Sequence, residues 1–265
     1  MPILEQHPGL LDALRGEMTP KFLATRNAAG VPNVVPCISL QPADDQPDTI
    51  FFGNFLLRKS IQNLKADSRV GILVITPELR GWILKCDFVE FQRTGAYVDK
   101  QMSGSLLRYN AYTGIRDAGI IRVRSVERTF AISKLQVMTD YIQARIAGLG
   151  KPAHSDDGVN VPRQVQNEFA KMIAVKVLAW LGDDGYPIVV PTLSMQPSGA
   201  ENLVCHTLSK LPRPPAGAQV ATNILTFEAI SYQAKGRWNL RGNTGKIRVQ
   251  EVYAGGPPLP GGRVA

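Results

Sequence analysis

The sequence predicts a mainly β (α+β) chain built as two tandem six-stranded β-barrels with short helices. An internal repeat is the first reason. Residues 23–42 read LATRNAAGVPNVVPCISLQP and residues 178–197 read LAWLGDDGYPIVVPTLSMQP, identical at ten of twenty positions at a constant offset of 155. Self-similarity of this kind marks one structural unit written twice. Two further echoes follow in order, FQRTGA (91–96) with YQAKGR (232–237) and GIIRVRSV (119–126) with GKIRVQEV (245–252). The second reason is punctuation, since short β-branched runs are bounded by Gly and Pro turns. The third is that a single helix-sized stretch falls among closely spaced strands, which favours a small barrel over a parallel βαβ sheet.

Taken in order, Phe22 to Arg26 reads as a short strand, Ala28-Ala29-Gly30 as a turn, and Val31 to Leu40 as a second strand. Asp183-Asp184-Gly185 gives the second copy the same hairpin with stronger turn chemistry. Ile50 to Gly53 is a third strand. Ser60 to Asp67 has helical spacing through Ile61 and Leu64, and Val70 to Thr76 is a fourth strand. Phe88 to Val98 and Gly119 to Val126 complete the meander. Between the copies, Ser133 to Ala147 sets Leu135, Met138, Ile142 and Ile146 on one helix face. A polar Gly/Pro linker (148–162) and a helix from Arg163 to Met172 follow. The domain boundary is placed in that linker, giving residues 1–150 and 151–265. The tail AGGPPLPGGRVA is either a docked arm or disordered.

Composition narrows the function. A chain of 265 residues, 44% hydrophobic and 20% charged, buries a core without staples. No apolar run reaches the roughly 18 residues of a membrane span. The N-terminus carries acidic residues and reads as no signal peptide, so a cytoplasmic location is expected. Cys37, Cys86 and Cys205 are far apart and form no C-x-x-C pair, and His7, His154 and His206 are isolated, so no metal site is expected. The net charge of +8 comes from scattered Lys and Arg, of which only Arg58 and Lys59 are adjacent. Scattered charge reads as solvated surface, not as a nucleic-acid or membrane patch. Gly148-Leu149-Gly150-Lys151 is followed by Pro152 where a phosphate loop needs Ser or Thr, and no hydrolase or zinc-protease motif occurs.

One segment stands out: Phe51-Phe52-Gly53-Asn54-Phe55-Leu56-Leu57-Arg58-Lys59-Ser60. A strand end with a small residue leads into a helix opened by Arg and Lys. Helix N-termini offer free N–H donors to phosphate, while Arg adds a bidentate fork. The alternative is that Arg58 and Lys59 only solvate the helix start. FFGNFLLRKSIQNLKADSRVGILV, with the preceding Gly30-Val31-Pro32 hairpin, resembles the flavin-binding stretch of the pyridoxamine-phosphate-oxidase-like, FMN-binding split-barrel family. The resemblance covers about 20–130 well and 175–255 more loosely. It implies a split-barrel fold and an FMN-dependent oxidoreductase acting on an unidentified small molecule. Arg58 and Lys59 would neutralise the phosphate, Asn54 and Ser60 would donate hydrogen bonds, and Gly53 would give backbone access. Main-chain groups at Val35, Pro36 and Cys37 would lie against the ring, those near Val35 and Cys37 meeting its pyrimidine edge.

Departures accompany the likeness. Leu57 replaces the Ser that precedes Arg-Lys in the family, and the second copy, Val204 to Pro212, lacks the Arg-Lys pair. The tail lacks the Trp and Arg-Leu pattern of true pyridoxamine-phosphate oxidases, which disfavours that vitamer as substrate. In the family the flavin lies between two barrels of a dimer; here a homodimer or an intramolecular pseudo-dimer would serve. Trp180, Trp238 and His206 are candidates for the far wall, or else ordinary core and surface residues. The loop Ser103 to Asp117 is expected to cap the barrel or an interface. A deazaflavin- or haem-binding relative, with His206 the conceivable haem ligand, and a non-catalytic dimerising or sensor module remain the alternatives. No catalytic residue is nominated.

Overall fold

A computed structural model describes residues 1–55, 57–104, 116–149, 158–256 and 260–265. A 3₁₀ turn (Leu4–Gln6) and α1 (Leu10–Arg15) precede the first sheet. Its strands are β1 (Lys21–Arg26), β2 (Pro32–Pro36), β3 (Gln41–Pro42), β4 (Thr49–Gly53), β5 (Arg69–Ile75), β6 (Arg80–Gln92) and β7 (Ala118–Ala131). Helix α2 (Arg58–Ala66) lies between β4 and β5, and α3 (Ala96–Ser103) follows β6. After α4 (Lys134–Gly148) and α5 (Arg163–Phe169) come β8 (Val175–Leu181), β9 (Pro187–Pro191), β10 (Gln196–Pro197), β11 (Asn202–His206), β12 (Gln219–Leu225), β13 (Ser231–Arg241) and β14 (Thr244–Ala254).

The strand order is β2-β1-β5-β6-β7-β4-β3 in one sheet and β9-β8-β12-β13-β14-β11-β10 in the other. The two orders are the same, element for element, and every described ladder is antiparallel. Each sheet has seven strands where the sequence suggests six, because Val31 to Leu40 is not one strand. After Pro36 the chain leaves the sheet through a turn closed by Leu40 N–H donating to Cys37 O (3.2 Å) and rejoins it as β3. The same turn recurs where Met195 N–H donates to Thr192 O (2.9 Å). In a flat sheet the edges β2 and β3 would stand roughly 29 Å apart. Five residue steps span at most about 18 Å. The sheet therefore curls until its edges approach, and each half is a split barrel.

The repeat extends to the hydrogen bonds. Cys37 N–H donates to Lys21 O at 2.7 Å, and Thr192 N–H donates to Lys176 O at 2.7 Å. Gly30 and Gly185 hold φ of 76° and 75° in the equivalent hairpins, a conformation glycine adopts without strain. The echo of 119–126 in 245–252 also superposes, since Ile50 pairs with Ile121 as Leu203 pairs with Ile247. The echo of FQRTGA in YQAKGR does not. The first segment closes β6, whereas the second opens β13. The strand expected at Phe88 to Val98 begins earlier, at Arg80, and α3 takes its last residues. Register shifts at Ile83/Leu84, Lys85/Cys86 and Phe88/Glu90 break the alternation that would have revealed it.

The barrels pack against each other. Phe22, Val34, Leu73 and Ile83 of the first share one core with Val177, Trp180, Val189 and Trp238 of the second. Gly71 makes the approach possible, because a Cβ there would stand 2.1 Å from Pro187 O. Polar contacts surround the β8–β9 hairpin. Arg26 Nη1 donates to Gly185 O (3.1 Å), Tyr186 OH donates to Asp87 (2.7 Å), and Lys85 pairs with Asp184. Helix α4 lies on β10 and β11 with Asp140 and Ala144 inward, while its Leu135, Met138, Ile142 and Ile146 face solvent. The C-terminal arm is docked, with Val264 N–H donating to Val252 O and Ala254 N–H to Gly262 O. Residues 150–157, where the sequence places the domain boundary, and 105–115 of the expected capping loop lie outside the described residues. No described helix is long and apolar enough to cross a membrane.

Candidate ligand cleft between the barrels

The residues singled out at the strand–helix junction meet at a cavity of about 250 Å³ walled by both barrels. That approaches the roughly 300–1,000 Å³ of small-molecule pockets. From the first barrel, Val35, Pro36, Cys37, Gly53, Arg58, Lys59 and Ser60 all line it. They converge because β2 runs to the barrel's split edge, β4 ends beside it, and α2 begins there. Ser39 ties the two strands, with Gly53 N–H donating to Ser39 Oγ at 3.2 Å. Asn63 Nδ2 donates to Thr25 Oγ1 (3.0 Å), which pins α2 to β1. Buried Ser60 accepts from Asn33 Nδ2 at 3.1 Å.

Asn54 is the exception among the expected site residues. It is buried, does not line the cavity, and donates its backbone N–H to Asp117 O (2.9 Å). Its backbone ties the end of β4 to the start of β7, outside the residues that line the cavity.

Helix α2 starts electrostatically unbalanced. Leu57 stands at its N-cap with no side-chain hydrogen bond, and no acidic residue occupies the first turn. The positive end of the dipole instead carries Arg58 and Lys59, which disfavours the helix unless an anion binds. Neither cation forms an ion pair among the described residues. Lys59 Nζ sits 3.0 Å from the ring centroid of Tyr253, on β14. Burial lowers its pKa, with the charge of Glu251 opposing. Lys235 is also close, its Nζ 5.8 Å from the same ring, and burial with the charge of Lys59 pushes its pKa down to about 8. Tyr253 OH donates to Glu251 Oε2 (2.6 Å). Burial and that hydrogen bond raise the phenol to about 12. The Cys37 thiol, driven up to about 12 by burial, is no nucleophile at neutral pH.

The far wall differs from the expectation. Trp180 and Trp238 are buried in the shared core and do not reach the cavity. His206 lies elsewhere, in a void of only about 10 Å³, with its Nδ1 3.0 Å from Asp140 Oδ1. That void is the second barrel's counterpart of the cleft. Ser194 bonds the backbone of His206 as Ser39 bonds that of Gly53, so a histidine fills the place of the glycine. Helix α4 covers it, and no helix equivalent to α2 follows β11. The actual far wall is Asn223, Leu225, Ser231, Gln233 and Tyr253 with the Ala254-Gly255 backbone, and Gly261 of the arm closes over it. Among the described residues no group of three His, Cys, Asp or Glu side chains converges as a metal site would.

No protein-family model matches the chain, and no curated protein matches it. Several solved structures are similar to about half of it. The HupZ protein of Group A Streptococcus is 24% identical over 47% of this chain and 91% of its own, with a TM-score of 0.36. An FMN-binding protein from Syntrophomonas wolfei is 16% identical over 50% of this chain and 88% of its own, at 0.41. The heme storage protein HutZ from Vibrio cholerae is 16% identical over 49% and 95%, at 0.35.

Proposed function

We propose that the cleft between the barrels binds a flavin-type ligand, FMN before others, and that the chain is an FMN-dependent oxidoreductase acting on a small molecule. One observation carries this reading: the uncapped N-terminus of α2, bearing buried Ser60 with Arg58 and Lys59, which form no ion pair among the described residues, opens onto a largely apolar slot that both barrels wall. A phosphate satisfies the helix end, and a flat ring system suits the slot lined by Val35, Pro36, Leu57 and Leu225. Arg58 and Lys59 hold the phosphate, Ser60 orients it, and the second barrel excludes water from the ring face. When bound, the flavin supplies the hydride or single-electron chemistry, and the protein supplies position and electrostatics.

A haem reading loses its candidate ligand, because His206 lies outside the cleft, in a void of only about 10 Å³. A deazaflavin keeps the ring and the phosphate and remains the runner-up. The absorption spectrum of the purified protein separates flavin, deazaflavin and haem. Titration of the Arg58→Ala/Lys59→Ala double variant with FMN is expected to show affinity reduced about 100-fold, equivalent to about 2.7 kcal/mol. Unchanged affinity would sink the phosphate assignment. A protein that takes up no flavin at all would favour a non-catalytic split-barrel module.

A further inference from the structure

Two carboxamides in the cleft wall have no counterpart in the other barrel. Asn223 on β12 and Gln233 on β13 are direct cross-strand partners. Asn223 pairs with Val177 across β8, just as Leu73 pairs with Phe22 across β1, 155 residues earlier. Asn223 thus stands where the first barrel has Leu73, and Gln233 where it has Ile83. Leu73 and Ile83 are buried in the shared core, whereas Asn223 and Gln233 line the cavity. Asn223 is only 1% exposed. Its Oδ1 accepts from Ser231 Oγ at 3.2 Å, which leaves Nδ2 as a buried donor without a partner. Gln233 Nε2 donates to Val34 O of the first barrel at 2.5 Å, so its Oε1 is the amide end left over. An unpaired buried amide is costly, and the equivalent leucine shows that the fold has no need of it.

We propose that Asn223 and Gln233 read the cyclic-amide edge of the ligand's ring, Nδ2 of Asn223 donating to a ring carbonyl and Oε1 of Gln233 accepting from the adjacent ring N–H. This deepens the flavin reading and rests on it. It also narrows the ligand class. Flavins and deazaflavins both present a carbonyl beside an N–H on the pyrimidine edge, while a porphyrin rim presents neither. The specificity comes from the second barrel, which carries no phosphate site of its own.

The test is a titration of the full chain with FMN, 3-methyl-FMN and haemin, followed by flavin fluorescence and Soret absorbance. Methylation at N3 replaces the ring N–H with a bulkier N–CH3, so the loss of discrimination in Gln233→Leu is what ties it to the hydrogen bond. Wild-type protein is expected to bind 3-methyl-FMN at least about tenfold more weakly than FMN, since a site built to hydrogen-bond a group discriminates against its loss. Asn223→Leu, which restores the first barrel's residue, is expected to weaken FMN about tenfold, and Gln233→Leu to abolish discrimination against the methyl analogue. Equal binding of the two flavins by wild-type protein overturns the proposal without any variant, and so does full FMN affinity in a folded Asn223→Leu protein. In both cases flavin binding itself still stands. Failure of wild-type protein to bind either flavin, with or without haemin binding, instead overturns the flavin reading on which the proposal depends.

Discussion

Lys21 and Lys176 occupy equivalent positions in the two barrels, are both fully buried, and should respond to the same substitution to different extents. Lys21 Nζ donates to Gly16 O (2.8 Å) and Ile38 O (3.1 Å). Lys176 Nζ has no hydrogen-bond partner and stands 5.6 Å from the Tyr141 ring centroid. Burial alone pushes its pKa from 10.5 down to about 7. Carrying that ammonium into the barrel therefore costs on the order of 4 kcal/mol at neutral pH. The contact with Tyr141 recovers about 1 kcal/mol. Lys176→Met should stabilise the protein by about 2–4 kcal/mol at pH 7, raising Tm by about 5–10 °C. Burial lowers the pKa of Lys21 as well, to about 8, so Lys21→Met relieves a similar penalty but strips two carbonyls of their donor, and should leave stability within about 1–2 kcal/mol of wild type. Linkage supplies a second readout. Between pH 7 and about 10 the unfolded chain holds the Lys176 proton and the folded chain sheds it, so wild-type stability rises with pH across that window. Below pH 7 both states are charged and the penalty persists in full. Urea melts of both variants at pH 6, 7.5 and 9 would check this. A destabilised Lys176→Met protein, or a pH slope as steep in that variant as in wild type, would refute the reasoning.

Three other outcomes are expected. Gly71→Ala places a Cβ against Pro187 O and should destabilise by about 3 kcal/mol or more, read as a lower denaturation midpoint. Ser60→Ala removes the acceptor for Asn33 and should cost about 1 kcal/mol of stability, seen in the same melts, together with a measurable loss of FMN affinity. Asp140→Ala frees His206 and should loosen α4 from β11, detected as faster amide exchange across residues 134–148, while FMN affinity stays unchanged because the cleft is elsewhere.

What the sequence revealed follows from how far each signal reaches. The repeat was legible because hairpin chemistry is local: Gly30 and Gly185 must turn the chain, and the flanking Val-Val-Pro strands lie beside them. Arg58 and Lys59 were legible because adjacent cations at a helix start are unusual, and the structure brings them to the cleft. Asn54 sits one residue past Gly53 in the motif, yet its burial and its bond to Asp117 depend on where β7 begins. By sequence Trp180 and Trp238 are candidates for the far wall or ordinary core residues, and they fill the shared core. Asn223 and Gln233 were hidden for a different reason. Each lies in an otherwise strand-like run, and only the cross-strand register shows that they replace a leucine and an isoleucine.

The cleft has one wall from each barrel, and a single polypeptide carries both. A site assembled from two separate chains empties on dilution as its walls part. Here the partner wall is tethered, its effective concentration is set by the connecting chain, and occupancy should depend on ligand concentration alone. Tethering also frees the two barrels from symmetry. A change in a paired homodimer alters both sites at once, whereas this chain could fill the counterpart void with His206 and α4 and keep Gly53 open on the other side. One chain should therefore take up one ligand.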